Sequence, residues 1–292
     1  MKTKNLYRFV ATSLASACLL FSSRAMASDT VRFVIVTKGI EYRQTSATTV
    51  SRLPSRRLPY SFEAIIEGGS RQALAAIKPR PTIQLPAGSG FTSMYKERPA
   101  LGLGEDAGDG WMFGYEGKKV FDNWGTRTKS ELDSAFPPGS YVILLSGENI
   151  ALPLPKDTYP SAPVIRLEGG RWSKGGYRIK PGKNLRIHSG VHATFNSHAN
   201  GIIGVELENE ALGSTMLEHI HVAKPIPGGP ERSGEKSFSA VIKASRFSAS
   251  KRYTLSVTFG SITSQFPVLA GTATALVTYE TWTEVPIVVE PF

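Results

Sequence analysis

Cysteine is nearly absent from this 292-residue chain, which contains Cys18 alone. A chain with one cysteine forms no internal disulfide, so its stability must come from packing and hydrogen bonding. Long apolar runs are lacking as well, because the run from Phe9 to Phe21 is shorter than the roughly 20 residues of a membrane-spanning helix. Helical periodicity is confined to one short segment. These absences exclude a disulfide-stapled scaffold, a helical membrane protein and a helix bundle.

The N-terminus has the pattern of a secretory signal peptide covering residues 1–27. The basic stretch MKTKNLYR precedes the apolar run, and Ala25, Met26 and Ala27 form a small-residue cleavage site. Cleavage after Ala27 predicts a secreted or periplasmic protein in which Cys18 is lost with the signal. A lipoprotein acylated at Cys18 is the alternative.

Basic residues exceed acidic ones, with 34 Lys and Arg against 24 Asp and Glu. Four of the basic residues and none of the acids lie in the predicted signal, which leaves an excess of six. An excess of this size can favour anionic surfaces but does not define a partner. Arg52, Arg56 and Arg57 share a loop without the interleaved aromatics that single-stranded nucleic acids require. We expect a polysaccharide or another envelope protein as partner, and no nucleic acid.

Short alternating segments rich in β-branched and aromatic residues predict strands throughout, and therefore an all-β fold. One short helix is predicted in the first half, where Thr128 and Glu131 form a capping-box pattern and prolines follow Phe136. The stretch LDSAFPPGSYVILL, which contains this helix end, resembles segments of secreted bacterial β-proteins. That resemblance implies no activity.

Prolines divide the chain into two predicted β-sandwich domains. Pro153, Pro155, Pro160 and Pro163 lie in a stretch without clear periodicity, which is typical of a stiff connection. The prediction therefore consists of an N-terminal domain, a linker and a C-terminal domain, at residues 28–147, 148–163 and 164–292.

The segment SFSAVIKASRFSASKRYTLSVTFGSIT contains two predicted strands. Tyr253, Leu255 and Val257 share one face of the second strand, with polar residues on the other, which predicts a half-buried strand. Phe247 stands six residues before Tyr253, with a short connector between them. This arrangement resembles the tyrosine corner of fibronectin type III and other immunoglobulin-like sandwiches. The resemblance implies that Phe247 and Tyr253 are structural, and that the tyrosine hydroxyl bonds to upstream backbone.

All five histidines lie in one stretch of sequence, which makes a zinc or copper site a candidate because neutral imidazoles suit both metals. The candidate ligands are His188, His192, His198, His219 and His221. Surface or cross-strand histidines without metal are the alternative.

Two further features are candidates for ligand binding. The glycine-rich loop with Glu105, Asp106 and Asp109 offers oxygen ligands for calcium, although it lacks the EF-hand pattern. Aromatic residues suited to stacking on sugars are the other feature. They are Trp111, Trp172 and Tyr177.

Catalytic signatures are scarce, since no nucleophile elbow is present and cysteine is missing from the predicted mature chain. Glu206, Glu208 and Glu210 alternate on one strand face, which we interpret as a solvated face rather than a catalytic pair. The sequence therefore favours a secreted, non-catalytic binding or structural module. The alternative is an extracellular polysaccharide-active or metal-dependent enzyme.

Overall fold

The computed structural model describes residues 31–68, 77–86, 92–93, 95–96, 110–114, 125–196, 200–211, 214–227, 229, 232–249 and 251–291. Strands dominate these residues, and a single short α-helix occurs among them, so the predicted all-β class with one short helix is confirmed. The predicted signal peptide and the acidic residues Glu105, Asp106 and Asp109 lie outside the described residues.

The elements are numbered in chain order. The helix is α1 (Lys129–Ala135). The strands are β1 (Val31–Gln44), β2 (Val50–Arg52), β3 (Tyr60–Gly68), β4 (Thr82–Gln84), β5 (Thr92–Ser93), β6 (Tyr95–Lys96), β7 (Gly110–Gly114), β8 (Gly125–Thr126), β9 (Gly139–Leu145), β10 (Glu148–Leu154), β11 (Arg166–Glu168), β12 (Gly170–Ser173), β13 (Gly176–Ile179), β14 (Leu185–His188), β15 (Asn200–Asn209), β16 (Ser214–Val222), β17 (Ser239–Ile242), β18 (Arg252–Val268) and β19 (Ala273–Val289).

The strands form one large sheet and two small ones. The large sheet has the order β16-β15-β18-β19-β1-β3-β7-β6, with β2, β8 and the β12–β13 pair attached to it. The small sheets have the orders β10-β9-β4-β5 and β11-β14-β17. Because β1 and β19 pair in parallel from Phe33 to Arg43, both halves of the chain contribute to the large sheet. The predicted boundary therefore does not separate two sheets.

The segment predicted to be a linker, residues 148–163, instead forms a strand and then lies along the large sheet. Residues 148–154 form β10, an edge strand where Pro153 removes no interior ladder bond. Beyond β10, hydroxyl groups of β19 donate hydrogen bonds to proline and serine carbonyls. They run from Tyr279 to Pro155 at 2.6 Å, from Thr281 to Ser161 at 3.1 Å and from Thr283 to Pro163 at 2.8 Å. The segment is thus fixed to β19 along its length.

One face of the large sheet, which we call the covered face, packs against the small sheets. In β19 it consists of the odd-numbered residues, such as Val277, Tyr279 and Val285. One apolar cluster joins this face to α1, β9 and β10, and another joins it to β11, β14 and β17. Phe62 of β3, for example, stacks on Phe136 with ring centroids 4.0 Å apart. The covered face therefore holds two apolar cores of the molecule.

The helix α1 begins as the sequence predicts. The N–H of Glu131 donates to the Thr128 side chain at 3.1 Å, and the Glu131 carboxylate accepts from the Thr128 N–H at 3.3 Å. This reciprocal capping box satisfies two amides that a helix start otherwise leaves unpaired. Leu132 is buried, and the helix thereby covers part of the large sheet.

The opposite face of the large sheet, which we call the carboxyl face, is also buried in the centre. In β19 it contains Glu280, Trp282 and Glu284, which are all at least 97% buried. An apolar cluster that includes Phe33, Ile220 and Ile226 covers another part of this face. The prediction of a half-buried β18 is therefore wrong in its central part, since Ser256 and Thr258 on its polar face are buried as well as the apolar residues on its other face.

Candidate functional site

A row of polar side chains crosses five neighbouring strands on the carboxyl face. The strand registers align Glu218 with Glu206, Glu206 with Ser256, Ser256 with Glu284, and Glu284 with Arg43. Residues directly opposite in a ladder have Cα atoms about 4.5 to 5.5 Å apart. The row therefore runs continuously from β1, inside the sheet, to the edge strand β16.

The edge end of this row is a pair of carboxyl groups. Glu206 is 9% exposed and accepts a hydrogen bond from the Thr215 hydroxyl at 3.2 Å. Burial raises the pKa of Glu206 to about 7, and the charges of Glu218 and Glu208 also raise it. Burial likewise raises the pKa of Glu218 to about 7. The prediction that this strand face is solvated is therefore wrong at Glu206. Its side chain is largely shielded from water, although β15 lies next to the edge strand of the sheet.

The interior end of the row holds a second pair, Glu41 and Glu284. Burial raises the pKa of both groups, and the carboxylate of Glu284 raises that of Glu41 further. The guanidinium of Arg43, with Nη2 3.8 Å from Glu284 Oε2, opposes this rise. Ionising two adjacent buried carboxyl groups costs more free energy than ionising one, so the pKa of Glu41 is raised the more of the two and Glu41 keeps its proton at neutral pH.

A small cavity lies beside the edge pair. Its volume is about 10 Å³, and its lining includes Glu206, Glu218, Ser256 and Thr258. Gly204 also lines it and contributes no side chain. A cavity of this volume holds about one water-sized group. It is far smaller than the pockets of about 300 Å³ or more that enclose small-molecule ligands.

β16 is the last strand on this side of the large sheet, and Val222 at its end bridges Arg232 in parallel. The Val222 carbonyl accepts from the Ser233 N–H at 2.9 Å and therefore points away from β15. Since backbone direction repeats every two residues, the N–H and C=O of Ile220 and Glu218 point the same way. No partner for these four groups occurs among the described residues. The open stretch ends at Met216, whose carbonyl accepts from Arg246 Nη2 at 3.0 Å.

The histidines that the sequence groups together have separate environments. His188 Nδ1 lies 2.7 Å from the Ser239 hydroxyl, whereas His192 is buried with Nε2 2.9 Å from the Gly260 carbonyl. Burial lowers the pKa of His192, which keeps its ring neutral. Among the four histidines that the structure describes, only His219 and His221 are in contact with each other, with ring centroids 4.5 Å apart.

The predicted zinc site therefore lacks a converging ligand set in the described part of the chain. No group of three or more potential ligands forms a metal site there. His219 and His221 instead contact Phe238, and Ser233 lies 3.3 Å from His221. His198 lies outside the described residues. Proximity in sequence failed as a signal because β14 and β16 belong to different sheets.

Two of the aromatic residues predicted to bind sugars, Trp172 and Tyr177, pack against each other. Trp172 is half-buried and meets Tyr177 edge to face, with ring centroids 5.3 Å apart. Tyr177 is 1% exposed, and its hydroxyl accepts from the Gly170 N–H at 2.8 Å. Trp111 lies in β7 opposite Ile66. Trp172 and Tyr177 thus stabilise the β12–β13 hairpin.

The predicted contact of Tyr253 with upstream backbone is present. Its hydroxyl accepts a hydrogen bond from the Ser248 N–H at 2.9 Å, and its ring meets Phe247 edge to face at 5.2 Å. Tyr253 is 1% exposed and begins the ladder between β18 and β19. Both side chains hold the connection between β17 and β18 in place.

Comparison with known proteins adds no relative. No protein-family model matches the chain, and no curated protein matches its sequence. Among the described residues, no helix has the length and apolar character needed to cross a membrane.

Proposed function

We propose that the protein is a secreted, non-catalytic binding module of the bacterial envelope or extracellular space. It recognises an extended polypeptide through the open edge of β16. The observation that carries this proposal is the set of four outward backbone groups at Glu218 and Ile220, which have no partner among the residues that the structure describes. An exposed edge is a template for strand addition, in which main-chain hydrogen bonds supply affinity.

The proposal includes export by the N-terminal signal and an immunoglobulin-like relationship of the second half. The signal pattern in residues 1–27 supports export. The Tyr253 contact with Ser248 and the packing of Phe247 support the tyrosine-corner resemblance. A partner outside the cell or in the periplasm would then be another envelope protein.

The dimensions of the edge cavity favour binding over catalysis. A glycosidase needs two carboxyl groups that flank a sugar bond, and a cavity of about 10 Å³ beside Glu206 and Glu218 cannot enclose a sugar ring. The polysaccharide-active enzyme is therefore the weaker alternative. It makes a clear prediction, because incubation with soluble glycans would release new reducing ends.

Selection of peptides from a displayed random decapeptide library tests the binding role. We expect enriched peptides to bind the wild-type protein and to lose binding to Ile220→Pro, which removes one outward N–H. The inner ladder is spared, because proline is tolerated where the strand N–H faces outward. Ile220→Val keeps the N–H and is the matched control, and circular dichroism checks that both variants fold.

Two results would contradict the proposal. Selected peptides that bind Ile220→Pro as tightly as the wild-type protein would place recognition elsewhere. Release of reducing ends from a panel of glycans would instead identify the protein as an enzyme.

A further inference from the structure

The carboxyl face opens to solvent at one end, near the C-terminal end of β19. From residue 285 to residue 290, buried and half-buried side chains alternate, and the half-buried ones, such as Pro286 and Val288, belong to the carboxyl face. In the centre of the same face, Glu280 and Glu284 are buried. The β12–β13 hairpin lies beside β19 at the open end. A partner can therefore reach this end of the face.

Three arginines lie in one line across this surface, and we call them the arginine row. The strand registers align Arg171 with Arg178, Arg178 with Val288, and Val288 with Arg252. Residues in register share a face of the sheet, so the three arginine side chains lie on the carboxyl face. All three are exposed. The row crosses four strands, and neighbouring strands lie about 4.8 Å apart.

The hairpin that carries two members of the row is fixed against β19. Its other face buries Tyr177, whose hydroxyl accepts from the Gly170 N–H at 2.8 Å and whose ring meets Trp172. Gly176 permits the close approach of β13, because an ideal Cβ at this position would lie 2.2 Å from the Pro286 carbonyl oxygen. The arginines therefore stand on a preorganised platform, which lowers the entropic cost of binding.

The positive charge of the row is only partly balanced. Arg171 Nη2 donates to Glu290 Oε1 at 2.8 Å, and Arg178 Nε donates to the Ser173 hydroxyl at 2.8 Å. Arg178 and Arg252 form no ion pair with any residue that the structure describes. Like charges directly opposite each other destabilise a sheet, so an anion between Arg171 and Arg178 relieves their repulsion.

The chemistry of the row suits carboxylates carried by a polymer. Arginine binds carboxylates in a planar, bidentate geometry that lysine does not reproduce. Because the row is exposed and extends over four strands, it suits a chain with repeated anionic groups better than a small ligand, which is usually held in an enclosed pocket.

The surroundings of the row favour a polysaccharide over a membrane or a nucleic acid. Membrane surfaces bind apolar side chains that project beside the cations, and nucleobases stack on aromatic rings. The two aromatic rings of the hairpin, Trp172 and Tyr177, lie on the opposite face of the sheet. Val288, the apolar residue within the row, is half-buried.

We propose that the arginine row binds an acidic polysaccharide through the carboxylates of its uronate units. Lys174, which is exposed in the turn of the hairpin, adds a fourth cation beside the row. The proposal goes beyond the peptide-binding edge, since it assigns a second surface on other strands to a second class of partner. Binding of this kind weakens as the salt concentration rises.

An oligosaccharide of defined charge tests the proposal. The probe is an end-labelled oligogalacturonate decamer. Its control is the same decamer with every carboxylate methyl-esterified, which keeps the chain and removes the charge. Fluorescence anisotropy measures both affinities at pH 7 in about 20 mM salt, where exposed charges are weakly screened.

We expect the acidic decamer to bind at least about tenfold more tightly than its ester, since several charge-assisted contacts form together. Arg171→Gln, Arg178→Gln and Arg252→Gln should each weaken binding of the acidic decamer about threefold or more. Arg127→Gln is the matched control, because it removes the same charge from an exposed residue next to α1. It should change the affinity by less than about 1.5-fold.

Three results would overturn the proposal, and none of them depends on the β16 edge. Equal binding of the acidic and esterified decamers would show that carboxylates are not recognised. Equal weakening by Arg127→Gln and Arg178→Gln would show an effect of net charge without a site. Tighter binding to phosphatidylglycerol vesicles than to the decamer, lost in Arg178→Gln, would assign the row to membrane phosphates. Ile220→Pro should leave binding of the decamer unchanged, because the row and the edge use different strands.

Discussion

The two faces of the large sheet solve the problem of buried charge in different ways. On the covered face, the fully buried Lys38 lies 2.8 Å from Asp133 and 3.8 Å from Asp157. On the carboxyl face, burial raises the pKa of Glu280 to about 8, so this group is largely protonated at neutral pH. One face pairs its charge with a counter-charge, and the other neutralises it with a proton.

This difference has a consequence at the sheet edge. A charged group that already has a counter-charge gains little interaction energy from a ligand. A buried carboxyl group with a raised pKa, in contrast, is stabilised as the carboxylate when a cation comes close to it. Among the described residues, it is the carboxyl face that brings such groups, Glu206 and Glu218, to the edge of the sheet at β15 and β16.

The largest expected effect is on the covered face. Lys38→Met should lower the free energy of unfolding by about 2 kcal/mol, because the buried charge-assisted hydrogen bond to Asp133 is lost and Lys129 alone is left to balance two aspartates. Lys129→Met is the matched control, since Lys129 contacts the same two aspartates but is 43% exposed. It should cost less than about 1 kcal/mol. Urea unfolding measures both, and equal costs would contradict the distinction between buried and exposed pairing.

A smaller effect of opposite sign is expected on the carboxyl face. The pKa of Glu280 is raised in the folded protein. The stability that protonated Glu280 contributes to the fold is therefore fully present below pH 4.5 and is lost as the pH rises through about 8. A glutamine at this position cannot ionise, so Glu280→Gln does not lose stability in this pH range. Its amide oxygen can replace Glu280 Oε1, which accepts from the Thr278 hydroxyl at 3.2 Å. At pH 8.5 the variant should be more stable than wild type by about 1 kcal/mol or more.

The control for this change is the exposed residue Glu148, where glutamine also keeps an acceptor for the Leu269 N–H. Thermal unfolding at pH 5 and pH 8.5 should show no pH-dependent gain for Glu148→Gln. A Glu280→Gln variant that is less stable than wild type at pH 8.5 would mean that the carboxylate is ionised and paired in the folded protein.

The smallest effect concerns an uncharged group on the covered face. Tyr253→Phe should cost about 1 kcal/mol, because the Ser248 N–H loses its acceptor. Tyr42→Phe is the control, as the Tyr42 hydroxyl has no hydrogen bond within the described residues. Urea unfolding compares the two variants. Full stability of Tyr253→Phe would remove the support for the tyrosine corner.

Local patterns were sufficient to predict individual elements. The capping box at Thr128 fixed the start of α1, and apolar residues at every second position fixed strands such as Leu185–His188. The alternation of Ile150, Leu152 and Leu154 also signals a strand, but the neighbouring prolines led to the prediction of a linker. An edge position reconciles the two signals.

Contacts between distant segments could not be predicted. Nothing local in β1 or β19 indicates that the first and last described strands pair in parallel. Glutamate and threonine on one strand face are typical of solvent exposure, and their burial depends on what lies over that face. The acidic row from Glu218 to Glu284 therefore emerges only from the strand registers.

Residue-resolved amide hydrogen exchange tests the central claim about β16 most directly. The N–H groups of His219 and His221 point toward β15, so we predict slow exchange for them in the free protein. The N–H groups of Glu218 and Ile220 should exchange rapidly in the free protein and slow down when a peptide selected from the decapeptide library is added. Slow exchange at all four positions before any peptide is added would contradict an open edge and the function proposed for it.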